Sequence, residues 1–114
     1  MSEIEALTQF DFHHRLAEEP GTSIVCFTAE GCGSCRQMKL ALRGLHESRP
    51  SLAVFEVDAR HEPGLAREFD VFHLPSLFVF SGGEYHRPLE AEPLPDRLAA
   101  ALDATLALPA LDPP

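Results

Sequence analysis

The chain has 114 residues, of which 45% are hydrophobic and 24% are charged, and its formal net charge is −9. This length suits one domain with a single core, and the hydrophobic fraction excludes a disordered chain. The acidic balance argues against binding to nucleic acid or to anionic membrane surfaces, because both require clustered Lys and Arg.

The hydrophobic pattern predicts elements in the order strand, helix, strand, helix, strand, helix, hairpin, helix. The expected strands cover residues 4–7, 22–28, 52–57, 77–80 and 84–87. The expected helices cover residues 8–18, 32–48, 64–69 and 94–108. The stretch Ser81-Gly82-Gly83 is typical of a hairpin turn, and the last residues are expected to fray.

This alternation implies parallel strands joined by right-handed crossovers, with the hairpin adding an antiparallel edge. The predicted fold class is α/β: a mixed central sheet of four to five strands, flanked by about four helices in a three-layer sandwich. Residues 1–108 are expected to form this domain, followed by a Pro-rich C-terminal tail at 109–114. Ligands of such sheets usually bind at the carboxyl ends of the strands.

A C-G-S-C motif stands at that edge, at the start of the longest helix. The helix N-terminus favours a thiolate, so the pKa of a cysteine there falls below its usual value of about 8.5. Cys32 is predicted to be the exposed nucleophile, and Cys35, one turn later, the buried resolving thiol. Gly33 and Ser34 are small enough to leave the first sulfur accessible, and Arg36 adds a nearby cation.

Two alternatives remain for the cysteine pair, a metal site and inert thiols. The first residues are acidic, whereas a secretory signal would be basic and then apolar, so a reducing cytosol is expected. A CxxC motif there is more often catalytic or metal-binding than structural. Zinc needs about four ligands, and His46 and His61 have no ligand-like spacing to the cysteines. Redox chemistry is therefore favoured, with no metal and no cofactor besides a Cys32–Cys35 disulfide.

Two motifs resemble the thioredoxin family. Residues 27–35, F-T-A-E-G-C-G-S-C, resemble the family's F-W-A-E-W-C-G-P-C, and residues 73–80, H-L-P-S-L-F-V-F, are similar to its I-P-T-L-x-x-F. The resemblance spans nearly the whole chain, with the same element order. It implies the thioredoxin fold and a cytoplasmic, monomeric thiol–disulfide oxidoreductase. Such an enzyme reduces protein disulfides and is regenerated by an external reductase or dithiol donor, without nucleic-acid or membrane partners.

The resemblance also implies a substrate loop. Pro75 would be cis and would face the cysteine pair, in a loop whose backbone holds an extended substrate segment. The alternative is a trans proline that opens a strand. The substrate-binding residues would be Gly31, His73, Leu74 and Ser76. His73 is either an exposed loop residue or an imidazole that stabilises the Cys32 thiolate.

The chain departs from the family pattern beside the motif. Gly31 replaces a tryptophan, which removes apolar surface and loosens the loop. Ser34 replaces a proline, and its hydroxyl can donate a hydrogen bond to the sulfur of Cys32.

The largest departure lies beneath the motif, where Cys26 and Val54 replace the family's buried aspartate and its lysine partner. Cys35 is then expected to resolve slowly, with solvent, Glu30 or His73 as the proton acceptor. Cys26 is interpreted as a small hydrophobic residue, the alternative being a third redox thiol. These departures keep open a peptide-binding or chaperone-like module with weak redox activity.

Overall fold

The computed structural model describes residues 4–114, so residues 1–3 of the acidic start lie outside the described residues. The described strands are β1 (Glu5–Ala6), β2 (Thr22–Thr28), β3 (Ala53–Asp58), β4 (Ser76–Ser81) and β5 (Glu84–Leu89). The described helices are α1 (Phe12–Ala17), α2 (Gly33–Ser48), α3 (Pro63–Glu68) and α4 (Pro95–Leu106). This is the element order that the hydrophobic pattern predicts.

The strands form one mixed sheet in the order β1-β3-β2-β4-β5. β3 runs parallel to both β1 and β2, whereas β4 is antiparallel to β2 and to β5. The sequence stretch at residues 22–28 therefore forms the central strand. It is buried along nearly its whole length, as its β-branched and apolar composition predicts.

Helices cover both faces of the sheet, because successive strand side chains point to opposite sides. On one face, β2 to β4 pack against α2 and α4 through a core that includes Ile24, Cys26, Val54, Val79, Met38, Leu42, Leu45, Leu98 and Leu102. On the other face, a phenylalanine-rich core packs against α1 and α3 and includes Phe12, Phe27, Phe55, Phe69, Phe78 and Phe80. The predicted three-layer arrangement is confirmed.

Both ends of the chain differ in detail from the predicted elements. The first helix begins at Phe12 instead of residue 8, because the Asp11 carboxylate accepts hydrogen bonds from the backbone N–H and hydroxyl of Thr8 (2.7 and 3.2 Å) and closes a turn. The expectation of a frayed C-terminal end is wrong for Pro109 and Leu111. Leu111 donates its N–H to the carbonyl of His86 (2.8 Å), and Arg87 Nε donates to the carbonyl of Pro109 (2.7 Å).

The turn between β4 and β5 depends on Gly83. Its φ is +83°, and a Cβ added there would lie 2.8 Å from Ala17 Cα and 2.9 Å from the carbonyl oxygen of Leu16. Gly83→Ala is therefore expected to lower the free energy of unfolding by about 2–3 kcal/mol, from strain plus a backbone clash. Urea denaturation of the variant and the parent protein measures this difference.

Gly82 is the matched control in the same turn. Its φ is also positive, at +58°, but an added Cβ would come no closer than 4.0 Å to its nearest neighbour, the carbonyl oxygen of Pro20. Gly82→Ala is expected to cost only about 1 kcal/mol, the strain alone. Equal losses in the two variants would show that the contact with α1 does not constrain the turn.

Candidate functional site

The cysteine pair lies where the central strand β2 leads into α2. Cys32 is the N-cap of α2, with extended backbone angles (φ −90°, ψ 104°), so the helix begins at Gly33, one residue later than predicted. Cys32 and Cys35 form a disulfide, and their Cα atoms are 5.2 Å apart. Two intervening residues on the first helical turn therefore bring the sulfurs together.

The two sulfurs have different surroundings. Cys35 is only 2% exposed and packs on the α2 side of the sheet, whereas Cys32 is half-buried at the helix end. The backbone N–H of Cys35 donates to Cys32 Sγ (3.2 Å), and Ser34 Oγ lies 3.5 Å from the same sulfur. Donors and the helix N-terminus thus converge on Cys32, which favours negative charge on that sulfur.

The residues beside the pair are small or exposed. Gly31 has φ +77°, a conformation that side-chain-bearing residues rarely adopt, which gives a backbone reason for glycine at this position. Gly33, Ser34 and Arg36 are exposed. The Arg36 guanidinium turns back toward the start of the helix, with Nη2 4.0 Å from the position that a Cβ would take at Gly33.

A groove of about 530 Å³ opens on one side of the motif. Its walls include Ser34 at the cysteine pair, and Phe72, His73, Pro75 and Ser76 on the loop before β4. The peptide bond between Leu74 and Pro75 is cis, as the resemblance implies. The loop and the helix start therefore face each other across the groove.

The loop residues divide between the groove and the core. Leu74 is half-buried and packs against the phenylalanine-rich core, so the groove is formed by its neighbours. Ser76 Oγ donates to the carbonyl of His73 (2.6 Å) and lies 3.4 Å from its Nδ1. This contact holds the exposed His73 side of the loop next to the start of β4. Phe72 is 90% exposed at the rim.

Cys26 lies beneath the pair, fully buried in the core between the sheet and α2, and is a free thiol. Burial, and secondarily the negative charge of Glu56, raises the pKa of Cys26 to about 12, although the charge of Lys39 works in the opposite direction. Cys26 is therefore an uncharged thiol near neutral pH, as its interpretation as a small hydrophobic residue requires. Val54 is likewise buried, in register with Ile24.

A second cavity, of about 430 Å³, lies behind the disulfide; we call it the thiol cavity. Its walls include both cysteines, Glu30, Lys39 and Glu56. Lys39 Nζ is 3.0 Å from Glu56 Oε2, and both side chains are about three-quarters buried, being 26% and 22% exposed. The cavity thus combines a redox-active pair with a shielded carboxylate and its cation.

The sequence reasoning missed Glu56. Period-2 alternation places residue 56 on the same face of β3 as Val54, and the sheet register pairs it with Cys26 of β2. A lone carboxylate within the apolar run A-V-F-E-V was the available signal. The structure therefore pairs Cys26 of β2 with a carboxylate of the neighbouring strand, and Lys39 of α2 supplies the cation of that carboxylate.

Among residues 4–114, no group of three or more His, Cys, Asp or Glu side chains is arranged to hold a metal ion. No helix in this range is long and apolar enough to cross a membrane.

Comparisons with known proteins agree with this geometry. The family model "Thioredoxin" matches residues 3–104. A thioredoxin of Chlamydia trachomatis is 27% identical over 81 residues, which are 71% of this chain and 78% of that protein. A bifunctional thioredoxin reductase/thioredoxin of Mycobacterium leprae is 36% identical over 62 residues, covering 54% of this chain and 14% of that protein.

A solved structure shares the fold. That structure comes from a study of thiol resolution in yeast mitochondrial 1-Cys peroxiredoxin by the glutathione and thioredoxin systems. It superposes with a TM-score of 0.74 at 20% identity, over 93% of this chain and 96% of that one. Together with the sheet order, this likeness confirms the predicted thioredoxin fold.

Proposed function

The chain belongs to the thioredoxin family and is a thiol–disulfide oxidoreductase, and from this premise we propose that it reduces disulfides of other proteins. Cys32 attacks the substrate disulfide as a thiolate, and Cys35 resolves the mixed disulfide that results. Two electrons pass from the dithiol to the substrate, which leaves the Cys32–Cys35 disulfide. No cofactor besides this disulfide takes part.

The assignment of attack to Cys32 and of resolution to Cys35 rests on the different surroundings of the two sulfurs. Cys32 is the more accessible and receives the N–H of Cys35, whereas Cys35 is 2% exposed on the core side. Thiolate attack requires access for the incoming disulfide, and resolution requires only the neighbouring sulfur. A substrate therefore meets Cys32 first.

The groove between the motif and the loop before β4 supports a polypeptide substrate. Pro75, His73 and Ser76 line it opposite Ser34, and Phe72 extends its apolar wall. In the proposed complex, the loop backbone pairs with an extended substrate segment next to Cys32. Gly31 leaves room for this segment on the other side of the sulfur, and Leu74 positions the loop from the core.

The proposed partners follow from the same chemistry. Each turnover oxidises the dithiol, so an external reductase or dithiol donor must restore it. The Mycobacterium leprae relative carries a thioredoxin reductase in the same polypeptide, which makes a reductase of that kind the first candidate donor. We propose that the protein is a monomer and that it acts in the cytoplasm. The reducing thiol pool of that compartment keeps such donors supplied.

An insulin-reduction assay combined with the reduction potential of the Cys32–Cys35 couple tests the proposal. We expect catalysed precipitation of insulin chains and a potential near that of reducing thioredoxins, about −270 mV. A potential near −120 mV, typical of a strong oxidant, with no insulin reduction, would reverse the direction of electron flow.

One observation favours a second candidate, a polypeptide-binding module with weak redox activity. The groove is largely apolar, and the ring of Phe72 is 90% exposed at its rim. Such a surface can hold unfolded polypeptide without any exchange of disulfides. Binding of a reduced, cysteine-free unfolded chain with the affinity of a disulfide substrate would favour this candidate over the reductase.

A further inference from the structure

The thiol cavity is lined by an ion pair as well as by Cys35. Cys35 and Lys39 are four residues apart on α2, so their side chains project from the same face of the helix. Glu56 reaches the cavity from β3, accepts a hydrogen bond from Thr28 Oγ1 (3.2 Å) and pairs with Lys39 Nζ (3.0 Å). The ion pair and the resolving thiol thus line the same cavity.

Resolution of a mixed disulfide requires that Cys35 lose a proton. A free thiol has a pKa of about 8.5, so most of it is protonated near pH 7, and only the thiolate attacks. Cys35 is 2% exposed, so bulk water has little access to its sulfur. A proton acceptor inside the thiol cavity would therefore set the rate of this step.

Each of three other groups in or next to the cavity has a feature that works against it as the acceptor. Although partial burial works to raise the pKa of Asp58, hydrogen bonds from His61 and from the backbone N–H groups of Arg60 and His61 hold it below its usual range. Glu30 is exposed, and water competes for its oxygens. Cys26 is an uncharged thiol, and a neutral thiol is too weak a base to take a proton from Cys35.

We propose that Glu56 accepts the proton of Cys35 during resolution and that Lys39 then faces the new thiolate, an inference that rests on the proposed reductase function. The proton moves from Cys35 Sγ to the Glu56 carboxylate. The Cys35 thiolate attacks Cys32 Sγ, the Cys32–Cys35 bond forms, and the bond from Cys32 to the substrate sulfur breaks. The substrate leaves as a thiolate and takes up a proton, and the dithiol has lost two electrons to the substrate disulfide.

Electrostatics favours this transfer within the cavity. Before the step Lys39 faces a carboxylate, and after it Lys39 faces a thiolate, so the net charge of the cavity is unchanged. The unchanged net charge is important because the cavity is shielded from water, where an uncompensated charge would be costly. The charged and titratable groups that face Glu56 are Lys39, Arg36 and Cys35 from α2, Cys26 from β2, Asp58 from β3, and Glu30 and Cys32 from the loop; β1 contributes Ala6.

A two-step release assay separates attack from resolution. Reduced protein is mixed with the aromatic disulfide dithiobis(nitrobenzoate). One coloured nitrothiobenzoate is released when Cys32 attacks this disulfide, and the second is released when Cys35 resolves the mixed disulfide. Glu56→Gln is expected to slow the second release at least about tenfold near pH 7 and to leave the first within about twofold. The gap should close as the pH approaches about 8.5, where the thiol ionises without an acceptor.

Glu19→Gln is the matched control. Glu19 also forms an ion pair, with Arg15 at 3.2 Å, and its side chain is 24% exposed, close to the 22% of Glu56. Both releases are expected to stay at wild-type rates in this variant. An unchanged second release in Glu56→Gln near pH 7 would overturn the proposal. The proposal would also be overturned if Glu30→Gln slowed the second release instead, or if Glu56→Gln slowed it by the same factor at every pH.

Lys39→Gln keeps the inference testable if Glu56→Gln fails to fold. It leaves the carboxylate and removes the cation that faces the thiolate, so the second release is expected to slow, by a smaller factor than in Glu56→Gln. An unchanged second release in this folded variant would also overturn the proposal. Failure of the first release in the parent protein would instead contradict the reductase function itself.

Discussion

Cys32→Ser is expected to reduce insulin-reduction activity to the background of the assay, and Cys35→Ser to arrest the reaction at a mixed disulfide. Cys32 is the sulfur at the N-cap of α2, where the N–H of Cys35 lies 3.2 Å away and negative charge is favoured. A serine hydroxyl stays protonated there and cannot attack a disulfide. In the proposed mechanism Cys35, which is buried on the core side, acts only after a substrate sulfur is bound to Cys32.

Mass spectrometry measures the difference directly. After exposure to a peptide disulfide, Cys35→Ser should carry one peptide on Cys32 in most of the molecules, and the adduct should disappear with added dithiol. Cys32→Ser should carry almost none, because its remaining thiols, Cys26 and Cys35, are both buried. Stable adducts on Cys35 in the Cys32→Ser protein would mean that Cys35 is the nucleophile and Cys32 the resolving thiol.

The same variant distinguishes a reductase from a binding module. If the groove serves polypeptide binding alone, Cys32→Ser should bind an unfolded chain as tightly as the parent protein does. If attack by Cys32 anchors the substrate, the variant should release disulfide-containing chains quickly and give no lasting complex. Retained binding together with undiminished cellular function of the variant would favour the second candidate.

The fold could be predicted because local patterns determine most of it. The apolar run of β2, the three- and four-residue periodicity of α2 and the Gly82-Gly83 turn each depend on neighbours in sequence. The disulfide partners are also local, three residues apart on one turn. These features need no knowledge of which strands pair.

Glu56 could not be predicted in the same way, because its position depends on sheet register. Only the pairing of Cys26 with Glu56 brings the carboxylate beneath the cysteine pair. Leu74 is expected to contact substrate, and in the structure its half-buried side chain packs against the phenylalanine-rich core. The sequence H-L-P-S does not reveal which way a loop side chain turns. Long-range packing decides both cases.

Cys26→Asp is expected to lower the free energy of unfolding at neutral pH by about 3–5 kcal/mol, as an uncompensated buried charge does. Residue 26 is fully buried, in register with Leu77 of β4 on one side and Glu56 of β3 on the other. Burial and the charge of Glu56 both disfavour the carboxylate, and they already act in that direction on the thiol of Cys26. Lys39 is engaged by Glu56 and offsets little of this cost.

The pH dependence of this loss identifies its cause. The folded-state pKa of the new carboxyl lies above its unfolded value of about 3.9, so the folded state holds the proton to higher pH. The loss is therefore smallest below about pH 4, where both states are protonated, and it grows as the pH rises toward the folded-state pKa.

Urea denaturation of Cys26→Asp and Cys26→Ser at a series of pH values between about 4 and 7.5 measures this loss of stability. The range ends before an unfolded cysteine ionises. Serine has no charge to gain, so its difference from the parent protein should stay constant over the same range. A pH-independent loss in Cys26→Asp would mean that the carboxyl costs stability through its shape and polarity, and that the site beneath the cysteine pair tolerates a charge.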